Sequence, residues 1–230
     1  MKYRAVIFDL YGTLVDELRY PHRQEVKYQR WVSDTAAALE LPVDDFRRVW
    51  ADTSRQREEG EIRTRKAILA FLCDTLDVDV SDEQLNRAAA IALEYIRRAL
   101  KPRNGVVETL ARLHDEGIKT GLISNCLAET SDLWSSTPFP SLLDASILSC
   151  EVGMMKPNPG IYRLACERLG VEPSDCLFIG DGGSGELTGA TSVGMDAVLI
   201  RAPGDTENGD REDWQGIRIS SVEEILSLVE

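Results

Sequence analysis

Short apolar runs that stop at a polar residue recur along the chain. Buried strands of parallel sheets are typically continuous runs of apolar residues, so each run predicts a strand. Ligands of such sheets bind just beyond the carboxyl ends of the strands. The polar residues that end the runs are therefore candidates for a functional site. The three runs, each with the polar residues that follow it, are 5–8 with Asp9, 120–123 with Ser124 and Asn125, and 176–179 with Gly180 and Asp181.

The block between the first two runs has a different pattern. Residues 16–101 combine apolar residues at helical spacing with many charges, and this pattern predicts helices rather than a strand like that at 5–8. Ser81 and Gln84 form a capping box, which predicts the start of a helix. Four consecutive helices indicate an inserted helical bundle. The other segments that predict helices are 22–39, 44–57 and 64–76.

Strands and helices alternate from residue 105 onward, which is typical of an α/β fold with a parallel sheet. We therefore expect two domains: a sheet domain of residues 1–15 and 102–230, and an inserted helical domain of residues 16–101. The elements predicted in the last part of the chain are helices over 105–116, over 158–170 with Asn158 as N-cap, and after a capping box at Ser221 and Glu224; a strand over 195–200; and a solvated loop over 203–216.

Composition and net charge indicate which kinds of molecule the protein binds. The chain has 230 residues, of which 43% are hydrophobic, enough for a sizeable core. It carries 26 basic and 39 acidic residues, a net charge of −13. This balance argues against nucleic acid and anionic membranes as partners, because phosphate backbones bind basic patches. A small anionic substrate needs only a local site and stays compatible.

Apolar segments and cysteines in the sequence predict the cellular compartment of the protein. No stretch approaches the roughly 20 apolar residues of a membrane span, and the first residues do not resemble a signal peptide. The five cysteines are scattered and include no CxxC pair. A reducing cytoplasm is the expected compartment. The sequence indicates no particular oligomeric state.

The residues at the ends of the runs suggest a specific chemistry. Asp9 is either a turn cap or a carboxylate nucleophile that forms a covalent intermediate. Asp181 would meet Asp9 at the same edge of the sheet, where two carboxylates repel each other unless a cation intervenes. Mg²⁺ prefers oxygen ligands and is the natural cation. Lys156 suits a site where a phosphoryl group lies next to carboxylates, because its ammonium stabilises both. Ser124 and Asn125 can donate hydrogen bonds to the oxygens of that phosphoryl group.

The four elements in this order resemble the motifs of the haloacid dehalogenase superfamily of hydrolases. The resemblance extends from residue 9 to residue 186, nearly the whole chain. Its motifs in this sequence are Asp9-Leu10-Tyr11-Gly12-Thr13, then Ser124, then Lys156 followed by Pro157-Asn158-Pro159, and finally Asp181 with Glu186.

The resemblance implies a Rossmann-like core, a helical cap over the site and an aspartyl enzyme intermediate on Asp9. It also implies a Mg²⁺ ion held by Asp9, the backbone carbonyl of Tyr11 and Asp181. Glu186 holds a position that is more often Asp in the family, so it either binds the metal directly or supports it through water. Thr13 either holds the turn after the strand or positions an acid.

The first and fourth motifs indicate different branches of the superfamily. Phosphatases of the family usually carry a second Asp two residues after the nucleophile, where this chain has Tyr11. Tyr11 and the Ser124-Asn125 pair resemble the dehalogenase branch, which needs no general acid and typically lacks the acid at the position of Asp181. A buried second carboxylate is costly without a cation, so we give the fourth motif more weight.

The sequence therefore predicts a Mg²⁺-dependent phosphatase that acts on a small phosphate ester through an aspartyl-phosphate intermediate. One alternative is a 2-haloacid dehalogenase that acts through an aspartyl ester. Another is a regulatory protein that binds metal and phosphate with little turnover.

The cap segment contains four arginines whose role the pattern leaves open. A solvated helix surface is the favoured interpretation, and a clamp on an anionic substrate is the alternative. Trp31 and Trp50 lie at helical spacing with other apolar residues and are predicted to form the core of the cap. The arginines are Arg55, Arg57, Arg63 and Arg65.

Overall fold

A computed structural model of the chain describes residues 2–16, 21–59, 61–62, 64–203, 205 and 211–229, with the side chains of residues 21–28 excepted. Its centre is a parallel sheet of six strands in the order β3-β2-β1-β4-β5-β6. The predicted α/β class with a Rossmann-like parallel sheet is confirmed. The strands are β1 (Ala5–Phe8), β2 (Lys119–Ser124), β3 (Ala145–Leu148), β4 (Cys176–Gly180), β5 (Asp196–Ile200) and β6 (Arg218–Ile219).

The helices fall into two groups. Five lie between β1 and β2 in the chain: α1 (Pro21–Ala38), α2 (Val43–Asp52), α3 (Ser54–Glu58), α4 (Arg65–Thr75) and α5 (Asp82–Ala99). The others alternate with the strands: α6 (Val106–Asp115), α7 (Ala128–Trp134), α8 (Ser149–Val152), α9 (Pro159–Leu169), α10 (Glu186–Ser192) and α11 (Leu226–Val229). No helix in the described part of the chain is long and apolar enough to cross a membrane.

The central strand β1 explains why the sheet is covered on both faces. All four of its residues are fully buried. Since successive side chains of a strand point to opposite faces, Val6 and Phe8 pack in one core cluster and Ala5 and Ile7 in another. Helix α6 contributes to the first cluster, and helices α9 and α10 to the second. A fully apolar strand is the expected consequence of this two-sided burial.

The register of the sheet sets the position of the candidate residues. Phe8 of β1 is paired with Leu122 of β2 and with Ile179 of β4. The three strands therefore end at nearly the same height. The residues that follow them, which the sequence singled out, meet at one edge of the sheet.

Helices α1–α5, called the helical insert below, have a hydrophobic cluster of their own. It is built around Trp31, Phe46, Trp50, Leu69 and Leu72, as well as smaller residues. The prediction that both tryptophans belong to this core is confirmed. The predicted capping box is present, since Ser81 accepts from the Gln84 amide and Gln84 accepts from the Ser81 amide. The division of the chain into two domains at residues 15/16 and 101/102 stays a prediction.

The sequence pattern does not predict strands β3 and β6, and it predicts an α-helix where the C-terminal segment begins with a 3-10 turn. Strands β3 and β6 have only four and two residues, and β3 is interrupted by the partly exposed Ser146, so neither forms a distinctive apolar run. The capping box at Ser221 and Glu224 is present, but it opens a 3-10 turn before helix α11 begins. Edge strands and chain ends depend on neighbours more than on local pattern.

Candidate active site

Asp9 follows β1 directly, and the turn after it fixes the first motif. Its amide donates to the carbonyl of Ile179 in β4 (2.8 Å), which ties Asp9 to the neighbouring strand. Gly12 has a φ of +85°, and the carboxylate of Asp181 lies where a Cβ would stand. Only glycine accommodates both the left-handed backbone and this close approach. The turn therefore brings the first and fourth motifs into contact.

Lys156 joins two carboxylates in the interior. Its Nζ lies 2.5 Å from Oδ1 of Asp9 and 2.5 Å from Oε2 of Glu186. All three side chains are almost completely buried. The other oxygen of Glu186 accepts from the amide of Gly182 (3.0 Å). The ammonium thus links the end of β1 to the start of α10.

Asn125 holds the backbone of Lys156. Its Oδ1 accepts from the Lys156 amide (2.8 Å), and its Nδ2 donates to the Lys156 carbonyl (3.1 Å). The sequence predicts Asn125 as a donor to substrate. In the structure its amide positions the lysine, with one N–H left for another acceptor.

Asp181 has a protein cation as a partner. Its Oδ2 lies 3.0 Å from Nη2 of Arg211, and Nη1 of Arg211 donates to its backbone carbonyl (3.2 Å). Both side chains are less than a tenth exposed. The prediction of a solvated loop over 203–216 is therefore wrong for Arg211. Nothing in the local sequence distinguishes this arginine, because the contact depends on how the loop folds back.

The loop is also attached to α10. The carboxylate of Glu212 accepts from the amides of Leu187 (2.7 Å) and Thr188 (2.9 Å), and its own amide donates to the carbonyl of Gly182 (2.9 Å). Carboxylates favour helix N-termini because free N–H groups point outward there. Glu212 thereby fixes the position of the neighbouring Arg211.

Asp9, Asp181 and Glu186 form a compact cluster of oxygen ligands. Each offers a carboxylate oxygen, and these atoms lie within 4.8 Å of one another. Burial raises the pKa of Asp9 and Glu186, repulsion among the carboxylates adds to it, and Lys156 acts in the opposite direction. Burial alone would lower the pKa of Lys156, but Asp9 and Glu186 outweigh it and raise that pKa. Three carboxylates thus face two contacting cations, an excess of negative charge that suits a further cation.

Three buried polar atoms at this edge have no hydrogen-bond partner among the described residues. They are Oδ2 of Asp9, Oγ1 of Thr13 and Oγ of Ser124. Buried polar groups are nearly always hydrogen-bonded, and exceptions call for an explanation. An unpartnered carboxylate oxygen suits a metal ion or an electrophilic phosphorus atom, and a hydroxyl suits an anionic oxygen. The donor set therefore fits Mg²⁺ and a phosphoryl group together.

A cavity of about 360 Å³ lies between this edge of the sheet and the helical insert. Its core side includes Asp9, Lys156 and Asp181, and its insert side includes Arg57 and Arg65. The interpretation of the cap arginines as a solvated surface is wrong for these two, since both are buried. It is correct for Arg55, which is exposed, and Arg63 lies outside the described residues.

Tyr11 also lines the cavity. Its hydroxyl shares a hydrogen bond with Oγ1 of Thr130 on α7 (2.8 Å). Burial is the main cause that raises the pKa of this hydroxyl far above its usual value. The Tyr11 side chain is therefore a poor proton donor and instead ties the first motif to α7.

Comparison with known proteins identifies the family. The model of the haloacid dehalogenase-like hydrolases matches residues 3–194. The chain belongs to this family. The hydrolase is 31% identical to glyceraldehyde 3-phosphate phosphatase of Methanopyrus kandleri over 98% of this chain and 97% of the relative. It is 28% identical to (S)-2-haloacid dehalogenase 4A of Burkholderia cepacia over 87% and 84% of the two chains.

A solved structure shares the fold of this hydrolase. It is a haloacid dehalogenase family enzyme of Bacteroides thetaiotaomicron in complex with magnesium and inorganic phosphate. The TM-score is 0.64, with 19% identity over 89% of this chain and 98% of the other. Phosphatases and dehalogenases both occur among the relatives, so family membership leaves the reaction to be decided by the site.

The buried contacts of Lys156 predict that this residue is important for stability. Lys156→Met removes the cation that compensates Asp9 and Glu186, and breaking a buried pair in this way costs about 3–5 kcal/mol. Lys66→Met is the matched control, because Lys66 pairs with Asp82 at the surface (2.9 Å) and is worth at most about 1 kcal/mol. Denaturant unfolding measures both. Equal losses in the two variants would show that the Lys156 contacts do not stabilise the fold.

Proposed function

We propose that this hydrolase is a Mg²⁺-dependent phosphatase that acts on a small phosphate ester through an aspartyl-phosphate intermediate. The observation that supports this most strongly is the cluster of Asp9, Asp181 and Glu186 at the cavity. Three buried carboxylates with two contacting cations retain a negative charge that a divalent cation would balance. The phosphatase relative and the neighbour crystallised with magnesium and phosphate agree with this assignment.

In this proposal Asp9 is the nucleophile. Lys156 contacts Oδ1, so Oδ2 is the oxygen that would form a bond to phosphorus as the bond to the ester oxygen breaks, and the alcohol would leave after taking a proton from water. A water molecule would then cleave the aspartyl phosphate, restoring the carboxylate and releasing inorganic phosphate. The Ser124 hydroxyl would donate to a phosphoryl oxygen. Thr13, buried in the turn after Asp9, would either hold that turn or position an acid.

The metal would be held by Asp9, Asp181 and the Tyr11 carbonyl, with Glu186 as a further ligand or a supporting group. Bound there, Mg²⁺ would neutralise charge on the phosphoryl group. Lys156 would orient the Asp9 carboxylate and compensate the cluster. We further infer a cytoplasmic protein without a nucleic acid or membrane partner, from its charge and its five free cysteines.

A dehalogenase is the second candidate, and one contact favours it. Arg211 supplies Asp181 with a cation from the chain itself, so this carboxylate has a partner without a metal. With that ion pair, burial of Asp181 does not require a metal ion. Tyr11, in place of a general acid, favours the same branch. The two reactions share Asp9 as nucleophile and differ in the need for Mg²⁺.

Asp9→Asn should abolish turnover while the protein stays folded. The amide is a poor nucleophile, and we expect a loss of about a thousandfold or more in kcat. Release of phosphate and of halide is measured in parallel with and without Mg²⁺, on a panel that includes glyceraldehyde 3-phosphate and 2-chloropropionate. Asp175→Asn, at the other end of β4, is the control. A folded Asp9→Asn protein with nearly normal rates would contradict the nucleophile.

Mg²⁺ binding should depend on Asp181. Calorimetric titration of the protein with Mg²⁺ should give a dissociation constant that rises about tenfold or more in Asp181→Asn, because a carboxylate ligand is lost. Asp196→Asn is the control, since Asp196 pairs with Lys2 (2.9 Å) and Tyr3 (2.6 Å) at the opposite edge of the sheet. Equal affinity in both variants, or full activity in excess chelator, would favour the dehalogenase.

Tyr11→Asp should raise the hydrolysis of alkyl phosphates. A carboxyl group at this position can protonate a poor leaving group, and we expect a gain of at least about tenfold over Tyr11→Asn. Tyr11→Asn is the matched control because it loses the same hydrogen bond to Thr130 without adding an acid. The gain should be small for aryl phosphates, whose leaving groups need little protonation. A folded Tyr11→Asp protein that is no faster than the control would disprove the missing-acid explanation.

A further inference from the structure

The insert side of the cavity contains two buried guanidinium groups beside one aromatic ring. Cζ of Arg57 lies 3.7 Å from the centroid of the Trp50 ring, and Cζ of Arg65 lies 5.6 Å from it. The two groups are therefore neighbours, and both line the cavity. Burial and the positive charge of Arg57 lower the pKa of Arg65 to about 9. Two like charges beside one ring favour an anion bound next to them.

Arg57 is held in a fixed orientation by its own part of the chain. Its Nε donates to the hydroxyl of Thr53 (3.3 Å), and its Nη2 donates to the carbonyl of Trp50. The side chain also stacks on the indole of Trp50, a favourable cation–π arrangement. A guanidinium oriented in advance loses little entropy when it binds a ligand.

Arg65 has donors available for a ligand. Its Nε contacts Oε1 of the buried Glu129 on α7, whereas Nη1 and Nη2 have no hydrogen-bond partner among the described residues. The side chain is 7% exposed. Unsatisfied buried donors of a charged group are costly, and a bound anion would satisfy them.

A short series of contacts links Arg65 to the first motif. Glu129 precedes Thr130, and the Thr130 hydroxyl bonds to Tyr11, two residues after Asp9. Arg65 is therefore close to the first motif, with the wall formed by Trp50, Tyr95 and Leu127 alongside. A ligand with one anionic group next to Asp9 and a second next to the arginines would have its organic part in contact with these three side chains.

We propose that Arg57 and Arg65 form a second anion subsite and that the substrate is a phosphate monoester whose organic part carries a carboxylate. The planar fork of a guanidinium matches a carboxylate in bidentate fashion. Glu129 already offsets Arg65, and the buried Glu58 also lines the cavity. Because these two acids offset much of the positive charge, the Nη1 and Nη2 donors of Arg65, unpartnered among the described residues, indicate the ligand, and they match one monoanionic carboxylate better than a second dianionic phosphate. This subsite rests on the proposed phosphatase function.

The test compares two nearly isosteric esters, 4-carboxyphenyl phosphate and 4-carbamoylphenyl phosphate. The wild-type protein with Mg²⁺ should prefer the carboxylate by about tenfold in kcat/KM, as expected for a charge-assisted bidentate contact. In Arg57→Gln the ratio of kcat/KM for the carboxylate ester to kcat/KM for the amide ester should fall to nearly one. The comparison of variant with wild type cancels the difference between the leaving groups.

Two further variants separate binding from folding. Arg65→Gln combined with Glu129→Gln removes the subsite without leaving a buried unpaired charge, and it should also lose the preference. Arg55→Gln is the matched control, because Arg55 is exposed on the same helix and pairs with Glu59 (2.9 Å). It should keep the wild-type preference. A wild-type ratio near one, or a ratio that both subsite variants leave unchanged, would overturn the subsite.

A binding measurement distinguishes failure of the subsite from failure of the phosphatase assignment. The probes are 4-carboxybenzylphosphonate and 4-carbamoylbenzylphosphonate, which are not hydrolysed, titrated calorimetrically into the Mg²⁺-bound wild-type protein. Tighter binding of the carboxylate, lost in Arg57→Gln, supports the subsite even if neither ester is turned over, and only the phosphatase function then fails. Hydrolysis of both esters with equal binding of both phosphonates leaves the phosphatase intact and refutes the subsite.

Discussion

The contact of the Lys156 ammonium with Asp9 and Glu186 is the interaction on which the site depends. Each carboxylate is buried, and burying a charge without a partner costs several kcal/mol. One ammonium 2.5 Å from both removes much of that cost and fixes the distance between β1 and α10. Asn125 then fixes the lysine backbone from the end of β2. The ends of three chain segments are thereby held together by electrostatics rather than by apolar packing alone.

The same electrostatic constraint applies to Asp181, but its partner comes from another part of the chain. Arg211 contacts its carboxylate and carbonyl, and Glu212 anchors that loop to α10. The site is therefore compatible with a balance supplied by the chain and with one completed by a metal ion. Relatives of this hydrolase include proteins named as phosphatases and proteins named as dehalogenases, and the balance of charge at the three carboxylates is compatible with either reaction.

The helical insert forms the side of the cavity that lies opposite Asp9, Lys156 and Asp181. Its own hydrophobic cluster holds Trp50, and Trp50 in turn supports Arg57. The aromatic core of the insert thus has two functions, because one face stabilises the helices and the other borders the cavity. Arg65 reaches α7 of the sheet region through Glu129, so the insert is joined to the core by a buried ion pair.

Much of the fold and of the site was predictable from local pattern. Apolar runs such as Ala5–Phe8 specify buried strands, and the polar residue after each run must lie at the carboxyl edge of a parallel sheet. The capping box at Ser81 specifies a helix start within four residues. These features depend on neighbours in the chain, and the sequence therefore determined the sheet, the insert and the positions of Asp9 and Asp181.

Long-range contacts were decided only by the tertiary structure. The exposure of Arg57, Arg65 and Arg211 depends on which surface each segment packs against, and an arginine in a charged stretch is locally the same whether it faces water or a cavity. Strands β3 and β6 are likewise specified by the strands beside them rather than by their own few residues. Periodicity records which residues are apolar, whereas the pairing of buried charges requires the coordinates of both partners.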